Sequence, residues 1–296
     1  MKNKLFIAAM MLLLLSTSCQ KQQNKTSNMD SLRTDIASIC GSLDAEIGVA
    51  VLFENGDTLL IGNDTHYPML SVVKFPQALA ICHQLKRNQQ SIDTTIDVLS
   101  TDLFPDTWSP MREQFPKGGK FSVAQLLDFS LVQSDNNACD ILFKKVCSIA
   151  KTEYFVRQIG IDACNIRCDE QMMRTDPMNG YRNGITPWAA IQMLEFLYKK
   201  KDQDTYQPVW NAMARCETGK NRIPAGVKNP QAKVVHKTGT SGAMENGRLM
   251  GINDIGIIVL PDGSHITLAV FIKDANMTQE AAEKVIATVT ERIINR

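Results

Sequence analysis

Strand patterns occur only toward the two ends of this 296-residue chain, and a long helical stretch separates them. Residues 46–53 alternate and are rich in Val and Ile, and Asn55-Gly56-Asp57 predicts a hairpin turn into a second strand over 58–61. Most of 70–216 then has apolar residues at helical spacing. Strands return over 233–237, 254–260 and 265–273. The simplest packing of this uneven order pairs the early and late strands in one antiparallel sheet.

The sequence therefore predicts an α/β protein with two domains. Helices over 30–43 and 278–294 would cover one face of the sheet, and the central block would form an inserted all-α domain. The predicted α/β domain is discontinuous and comprises residues 30–66 and 224–296, whereas residues 67–223 form the all-α domain. We expect a functional site at the seam between the two domains, where clefts often form.

The N-terminus has the order of a secretory signal. Lys2 and Lys4 precede an apolar run of 11 residues, Leu5–Leu15, which is too short for the roughly 20 residues of a membrane-spanning helix. Small residues follow and then Cys19, as in a bacterial lipoprotein box. We predict a signal peptide over 1–18, a polar tether over 19–29 and export to the periplasm. Two outcomes stay open, lipid anchoring through Cys19 and plain cleavage.

Charge and metal-ligand spacing exclude several kinds of partner. Lys and Arg number 32 and Asp and Glu 31, so a net charge of +1 predicts no nucleic-acid partner and no polybasic membrane patch. Seven cysteines follow Cys19, an odd number, so at least one is unpaired or pairs between chains. Neither they nor the four scattered histidines have zinc spacing. We expect buried, free cysteines, no metal, no cofactor and a monomer.

Ser71-Val72-Val73-Lys74 begins the helical block. Residues three apart share a helix face, so the Ser71 hydroxyl and the Lys74 amine can meet. A serine hydroxyl becomes a good nucleophile when a neighbouring base takes its proton, and a neutral Lys can do this. By itself the pattern is equally typical of a capping Ser beside a surface Lys.

Two further short motifs follow. Ser134-Asp135-Asn136 lies between two predicted helices, where a hydroxyl and an amide could relay a proton and hold a substrate amide. Read alone, it favours a helix N-cap. Lys237-Thr238-Gly239-Thr240 ends an apolar strand, where a cation and two hydroxyls can hold a carboxylate and a Gly lets a ligand approach the backbone. Read alone, it is a strand running into a turn.

Together, in this order and at these intervals, the three motifs resemble those of class A serine β-lactamases and penicillin-binding proteins. The resemblance to class A covers about residues 30–296 and includes the strand, insert and strand layout. It implies the two-domain serine β-lactamase and transpeptidase-like fold, hydrolysis of a small-molecule β-lactam and no cofactor. Ser71 would attack the lactam carbonyl, the backbone N–H groups of Ser71 and Thr240 would hold the oxyanion, and Ser134 would pass a proton to the lactam nitrogen.

A lactamase differs from a transpeptidase in having a base that activates water for deacylation. The resemblance assigns this role to Glu170, and Met173 matches the apolar residue that follows it in the family. Lys74 and Glu170 both remain candidate bases for acylation. In the commoner pattern an Arg precedes the Glu and an Asn follows it, but this chain has Cys168 and Arg174 there. Because of these departures the chain is similar to a cephalosporin-hydrolysing branch.

The resemblance also implies how substrate is held. Lys237, Thr238, Gly239 and Thr240 would surround the substrate carboxylate with Arg222, which lies in a stretch similar to that of the family. Asn136 would hold the side-chain amide. Trp108 would stand at the mouth of the cleft or, equally, in the core.

Two rival functions use the same motifs. One is a D-alanyl-D-alanine peptidase, and the other is an exported penicillin sensor that acylates and stays acylated. Glu170 argues against the first, and sensors of the second kind usually carry membrane helices.

Overall fold

The computed structural model of the protein describes residues 28–296. The predicted signal peptide, Cys19 and most of the predicted tether lie outside the described residues. Within residues 28–296, no helix has both the length and the apolar character needed to cross a membrane.

The described chain contains the following helices and strands. The helices are α1 (28–41), α2 (Lys74–Arg87), α3 (Pro110–Gln114), α4 (Val123–Val132), α5 (Asn136–Lys145), α6 (Ile149–Gln158), α7 (Glu170–Thr175), α8 (Pro187–Lys200), α9 (Gln207–Ala214), α10 (Ile223–Gly226) and α11 (Gln279–Ile294). The strands are β1 (Glu46–Phe53), β2 (Thr58–Ile61), β3 (Tyr67–Pro68), β4 (Thr95–Leu99), β5 (Gly118–Ser122), β6 (Cys164–Asn165), β7 (Gly184–Ile185), β8 (Lys233–Thr240), β9 (Leu249–Val259) and β10 (His265–Ala275).

Early and late strands form one antiparallel five-stranded sheet in the order β2-β1-β10-β9-β8. Strand β1 pairs with β10 along its whole length, from Glu46 opposite Lys273 to Phe53 opposite Ile266. Strand β8 lies at one edge, and its free edge faces the start of the helical block. The predicted fold class is confirmed, and this edge brings the third motif to the first.

The sheet separates two hydrophobic clusters. On one face, α1 and α11 supply buried residues such as Ile36, Ile286 and Val289, which pack on Val49 and Val270. The other face belongs to the larger cluster, which joins the sheet to the helical block. Each fully buried Val or Ile contributes roughly 1.5–3 kcal/mol. Because the sheet and the helical block both contribute residues to this larger cluster, the two parts meet in a packed hydrophobic contact. The predicted boundaries of the two domains stay a prediction.

The central block is not entirely helical, contrary to the prediction of an all-α domain. It contributes strands to two small sheets, β3-β7-β6 and β4-β5. Strands of two residues, such as Gly184–Ile185, are too short to show an alternating pattern. Strand β5 reads Gly-Gly-Lys-Phe-Ser, and only its Phe is typical of strands, so the sequence shows no strand pattern there.

Candidate active site

Ser71 lies in a single 3-10 turn, Leu70–Val73, that leads directly into α2. Val72 and Val73 are fully buried and anchor the turn, while Ser71 is half-buried. The side-chain amide of Asn253 on β9 donates to the carbonyl oxygens of Pro68 and Met69 at 2.8 and 3.3 Å. The turn is therefore fixed to both the helical core and the sheet, so the nucleophile candidate has a defined position.

Lys74 is completely buried, and its ammonium has three oxygen acceptors. Its Nζ lies 2.8 Å from Ser71 Oγ and 2.8 Å from Asn136 Oδ1, and it forms a short ion pair with Glu170. Ser71 Oγ in turn lies 3.4 Å from Glu170 Oε1. The structure therefore brings a serine hydroxyl together with two candidate bases. Lys74 comes from α2 and Glu170 from α7, almost a hundred residues apart in sequence.

Glu170 is the first residue of α7, and Asp169 caps that helix by accepting from Met172 N. The backbone N–H of Glu170 donates to Asp140 Oδ1 on α5 at 2.8 Å. Burial, and then the nearby charges of Glu170 and Asp169, raise the pKa of Asp140 to about 8. Asp140 thus links α5 to the backbone of the candidate base. Sequence reasoning missed this residue because a lone Asp on a helix has no motif.

The three residues of the second motif, Ser134-Asp135-Asn136, make different contacts. Asp135 is the N-cap of α5, accepting from Ala138 N, so the capping interpretation is right for this residue. Ser134 has a φ of 59°, and its Oγ lies 3.0 Å from Lys237 Nζ. Asn136 uses its Oδ1 for Lys74 and donates from Nδ2 to Thr107 Oγ1 at 2.7 Å. Ser134 and Asn136 thus face the site while the residue between them holds the turn.

The third motif ends strand β8 beside Ser71. Lys237 is fully buried, and burial lowers its pKa to about 8. Thr238 Oγ1 lies 2.6 Å from Thr218 Oγ1, and Thr240 is exposed at the strand end. A Cβ on Gly239 would lie 2.4 Å from the carbonyl oxygen of Met69. Only Gly therefore allows β8 to approach the Ser71 turn this closely.

Arg222, which the resemblance assigns to the substrate carboxylate, lies under the end of strand β8. It is 2% exposed, and NH2 donates to Thr240 Oγ1 at 2.7 Å. NH1 donates to the carbonyl oxygens of Gly239 and Asn253 at 3.1 and 2.8 Å. An ion pair with Glu283 on α11, at 3.1 Å, holds the guanidinium from behind. A positive group thus lies under the strand end where a substrate carboxylate is expected.

A cleft of about 340 Å³ opens beside Ser71. Its lining includes Ser71, Asn136, Glu170, Thr240 and Trp108. Trp108 is 60% exposed and donates from Nε1 to Gln133 O, so the alternative of a core Trp is wrong.

The side chain of Asn183 holds the loop before α7. Asn183 is fully buried, and its Oδ1 accepts from the backbone N–H groups of Arg167 and Cys168 at 2.7 and 2.9 Å. Its Nδ2 donates to Cys168 O at 2.8 Å. Cys168 itself is a buried free thiol. The buried Asn183 amide thus holds the backbone of the loop beside Cys168, where the commoner family pattern has an Arg.

A second polar chain lies behind β8, outside the predicted site. His236 Nδ1 lies 2.9 Å from Asp254 Oδ1, and the ring also hydrogen-bonds the Cys216 thiol. Burial disfavours the imidazolium, but Asp254 raises the pKa of His236 to about 10. Burial likewise disfavours the Cys216 thiolate, but His236 lowers its pKa to about 7. Among the cysteines of residues 28–296, Cys216 is half-buried and the other six are buried, which confirms the prediction for those six.

Comparison with known proteins agrees with this geometry. The profile described as "Beta-lactamase enzyme family" matches residues 29–296, nearly all of the described chain. The chain belongs to the β-lactamase enzyme family. Its likeness to solved class A enzymes places it in class A, so this enzyme hydrolyses β-lactams.

Among relatives of the β-lactamase, VEB-1 of Pseudomonas aeruginosa is 36% identical over 88% of this chain and 89% of its own length. The extended-spectrum β-lactamase PER-1 of the same species is 34% identical over 88% of this chain and 85% of its own. The solved TLA-1 extended-spectrum β-lactamase has a TM-score of 0.87 at 34% identity, covering 90% of this chain and 98% of that one. A class A β-lactamase from Bacteroides cellulosilyticus has a TM-score of 0.85 at 30% identity, covering 90% and 97%.

Proposed function

We propose that the β-lactamase works through an acyl-enzyme on Ser71. The observation that carries this proposal is the shared environment of the Ser71 hydroxyl, 2.8 Å from Lys74 Nζ and 3.4 Å from Glu170 Oε1. Lys74 can take a proton from Ser71 only after giving one up, and its ion pair with Glu170 offers the acceptor. We therefore assign the proton transfer of acylation to the coupled pair rather than to either residue alone.

The remaining groups would stabilise the charges that develop during acylation and hold the substrate. The lactam oxygen becomes an oxyanion, and the backbone N–H groups of Ser71 and Thr240 would stabilise it. The lactam nitrogen needs a proton as its bond to carbon breaks. Ser134 would supply it, since Lys237 Nζ at 3.0 Å donates to the hydroxyl and helps it release its proton. Lys237, Thr238, Thr240 and Arg222 would hold the substrate carboxylate beside Gly239.

Deacylation requires a base that reaches water beside the ester on Ser71. Glu170 lines the cleft and is anchored at its backbone by Asp140, so its carboxylate has a fixed position. Once the proton taken from Ser71 has replaced the one that Ser134 gives to the lactam nitrogen, Glu170 is again a carboxylate. It would then take a proton from water, the resulting hydroxide would attack the ester carbonyl, and the proton would pass to Ser71 Oγ as the ester bond breaks. Removing a general base lowers rates by roughly 10²–10⁴-fold. Glu170→Gln should therefore acylate more slowly than wild type, because Lys74 loses its proton acceptor, and deacylate more slowly still, because no base remains for the water.

The experiment is nitrocefin turnover by wild type and Glu170→Gln, with intact-protein mass spectrometry after mixing. We expect fast turnover by wild type and a persistent adduct on Ser71 in the variant. A variant that turns over at the wild-type rate would refute Glu170 as the base. A wild-type protein that acylates and stays acylated would favour the penicillin sensor, and one that cleaves D-alanyl-D-alanine peptides would favour the peptidase.

We also propose a preference for cephalosporins. PER-1 and TLA-1 are named extended-spectrum enzymes. In this chain Thr240 and Ser241 line the cleft and can hydrogen-bond a carboxylate, and a Cβ on Gly242 would meet nothing within 4 Å. This space suits bulky acyl side chains. Steady-state kinetics should give a higher kcat/KM for early cephalosporins than for benzylpenicillin and little carbapenem turnover, and a preference for benzylpenicillin would refute the proposal.

The last part of the proposal concerns location. We propose that the N-terminal signal exports the enzyme to the periplasm, where it would give resistance to β-lactam antibiotics. A Cys19→Ala variant separates the two outcomes at this residue. A protein that moves from the membrane fraction to the soluble periplasmic fraction indicates a lipid anchor, and one that is soluble in both forms indicates plain cleavage.

A further inference from the structure

Arg174 lies in the last turn of α7 and borders the cleft opposite the β8 strand. Its side chain extends away from its own helix, and Nε donates to the carbonyl oxygen of Asp106 in the loop before α3. That loop also supplies Thr107, which accepts from Asn136. Arg174 therefore lies along the wall formed by α7 and this loop, beside Asn136 and Glu170.

The Arg174 guanidinium differs from other arginines near the site. Arg167 on the same loop is paired with Glu153, and Arg222 is paired with Glu283. Within residues 28–296, Arg174 has no ion pair with a carboxylate, and its one hydrogen bond uses Nε. Its two terminal nitrogens, which form the fork that suits a carboxylate, have no hydrogen-bond partner among the described residues.

The charges around Arg174 restrict what it can bind. The carboxylate of Glu170 is already paired with Lys74. Asp106 is exposed and also lines the cleft, so its carboxylate competes with an incoming anion for Arg174. On the β8 wall, Lys237 and Arg222 are committed to the carboxylate of the β-lactam nucleus in the proposed function. A second carboxylate, carried by the acyl side chain, would lie near the α7 wall and could bind the Arg174 guanidinium.

We propose that Arg174 is a specificity-determining residue that selects β-lactams whose acyl side chain carries a carboxylate. This inference rests on the proposed function, because it places the nucleus carboxylate at Thr240 and the side chain toward Asn136. Arg174 would donate from its terminal nitrogens to the side-chain carboxylate and keep its Nε bond to Asp106. Because Arg174 is exposed, water and salt weaken the attraction, and its effect on kcat/KM is about three- to fivefold.

The experiment uses two oxyimino cephalosporins with one nucleus, differing only in whether the oxime carries a carboxymethyl or a methyl group. The ratio of their kcat/KM values is measured in wild type, Arg174→Gln and Arg174→Lys. The matched control is Arg182→Gln, since Arg182 is also exposed but bonds Asn179 and does not border the cleft. We expect the ratio of anionic to neutral substrate to fall about three- to fivefold in Arg174→Gln, mainly through KM, and to persist in Arg182→Gln. In Arg174→Lys, which keeps the charge but not the fork, the ratio should lie between those of wild type and Arg174→Gln.

High salt should reduce the ratio in wild type and leave it unchanged in Arg174→Gln. An unchanged ratio in Arg174→Gln, or an equal loss for both substrates, would overturn the inference, the second result indicating that Arg174 only supports the loop. These outcomes are distinct from failure of the proposed function. If wild type hydrolysed neither cephalosporin, the proposed preference for cephalosporins would be wrong, whereas turnover of both with a ratio independent of residue 174 refutes only the role of Arg174.

Discussion

Replacing Glu283 by Ala would break the buried ion pair that holds Arg222 in the active site. Glu283 is 7% exposed and accepts from Arg222 Nε and NH2 at 3.3 and 3.1 Å. Removing one partner of a buried pair costs about 3–5 kcal/mol, because the other charge stays in the protein interior. Arg222 keeps acceptors on Gly239, Thr240 and Asn253, so we expect the lower limit, about 3 kcal/mol.

Thermal unfolding followed by circular dichroism measures this loss. In proteins of 150–250 residues each kcal/mol shifts Tm by about 2–4 °C, so Glu283→Ala should lower it by roughly 6–12 °C. Glu283→Gln keeps the shape and one acceptor and should fall between wild type and Ala. Glu280→Ala, an exposed change on the same helix, is the control. A shift below about 2 °C in Glu283→Ala would show that the pair is not the energetic link we infer.

The effect of Glu283→Gln on Tm should depend on pH. Burial alone would raise the pKa of Glu283, but hydrogen bonds from Gln279 and Arg222 lower it below its ordinary value. A carboxyl with a lowered pKa contributes stability above its unfolded pKa and loses it as pH falls through the folded pKa. The Tm difference between wild type and Glu283→Gln should therefore be full at neutral pH and shrink below about pH 4.

Three further predictions follow from the site. Ser71→Ala should abolish β-lactam turnover with an unchanged Tm, since a half-buried hydroxyl adds little packing, and retained hydrolysis would refute the serine mechanism. Cys216, with its pKa lowered to about 7, should be alkylated by iodoacetamide at neutral pH before the six buried cysteines, and His236→Asn should slow that reaction, as peptide mass mapping can check. Burial raises the pKa of Asp140 to about 8, so the folded protein is more stable when this carboxyl is protonated. That contribution to the free energy of unfolding is lost as pH rises through the folded pKa. Asp140→Asn should therefore be more stable than wild type at alkaline pH and equal to it in acid, and a pH-independent difference in Tm would contradict the buried-carboxyl explanation.

Elements with strong local patterns were predicted almost to the residue. The strands over 46–53 and 58–61 have the observed bounds, because alternation is a property of neighbouring residues. Strand β8 extends three residues beyond its prediction, through Thr240. The added residues, Thr238 to Thr240, are polar or Gly, and they form a strand because pairing with β9 compensates for their weak propensity.

Motifs predicted much of the site for a related reason. Ser71 and Lys74 are three apart on one turn, so their contact is local. The meeting of Lys74 with Asn136 and Glu170 spans 62 and 96 residues and was expected only from the resemblance to a known family. Nothing in the spacing alone required α7 to place its first residue against α2.

The sequence by itself determined the order of strands and helices, the three motifs and the chemical groups at the site. Only the tertiary structure decided which residues support those groups: Asp140 behind Glu170, Asn183 under the loop, and Glu283 behind Arg222. These partners lie 15 to 61 residues from the groups they hold. Short polar side chains of this kind have no periodicity or motif of their own, because their partners are selected by how helices and strands distant in sequence pack together.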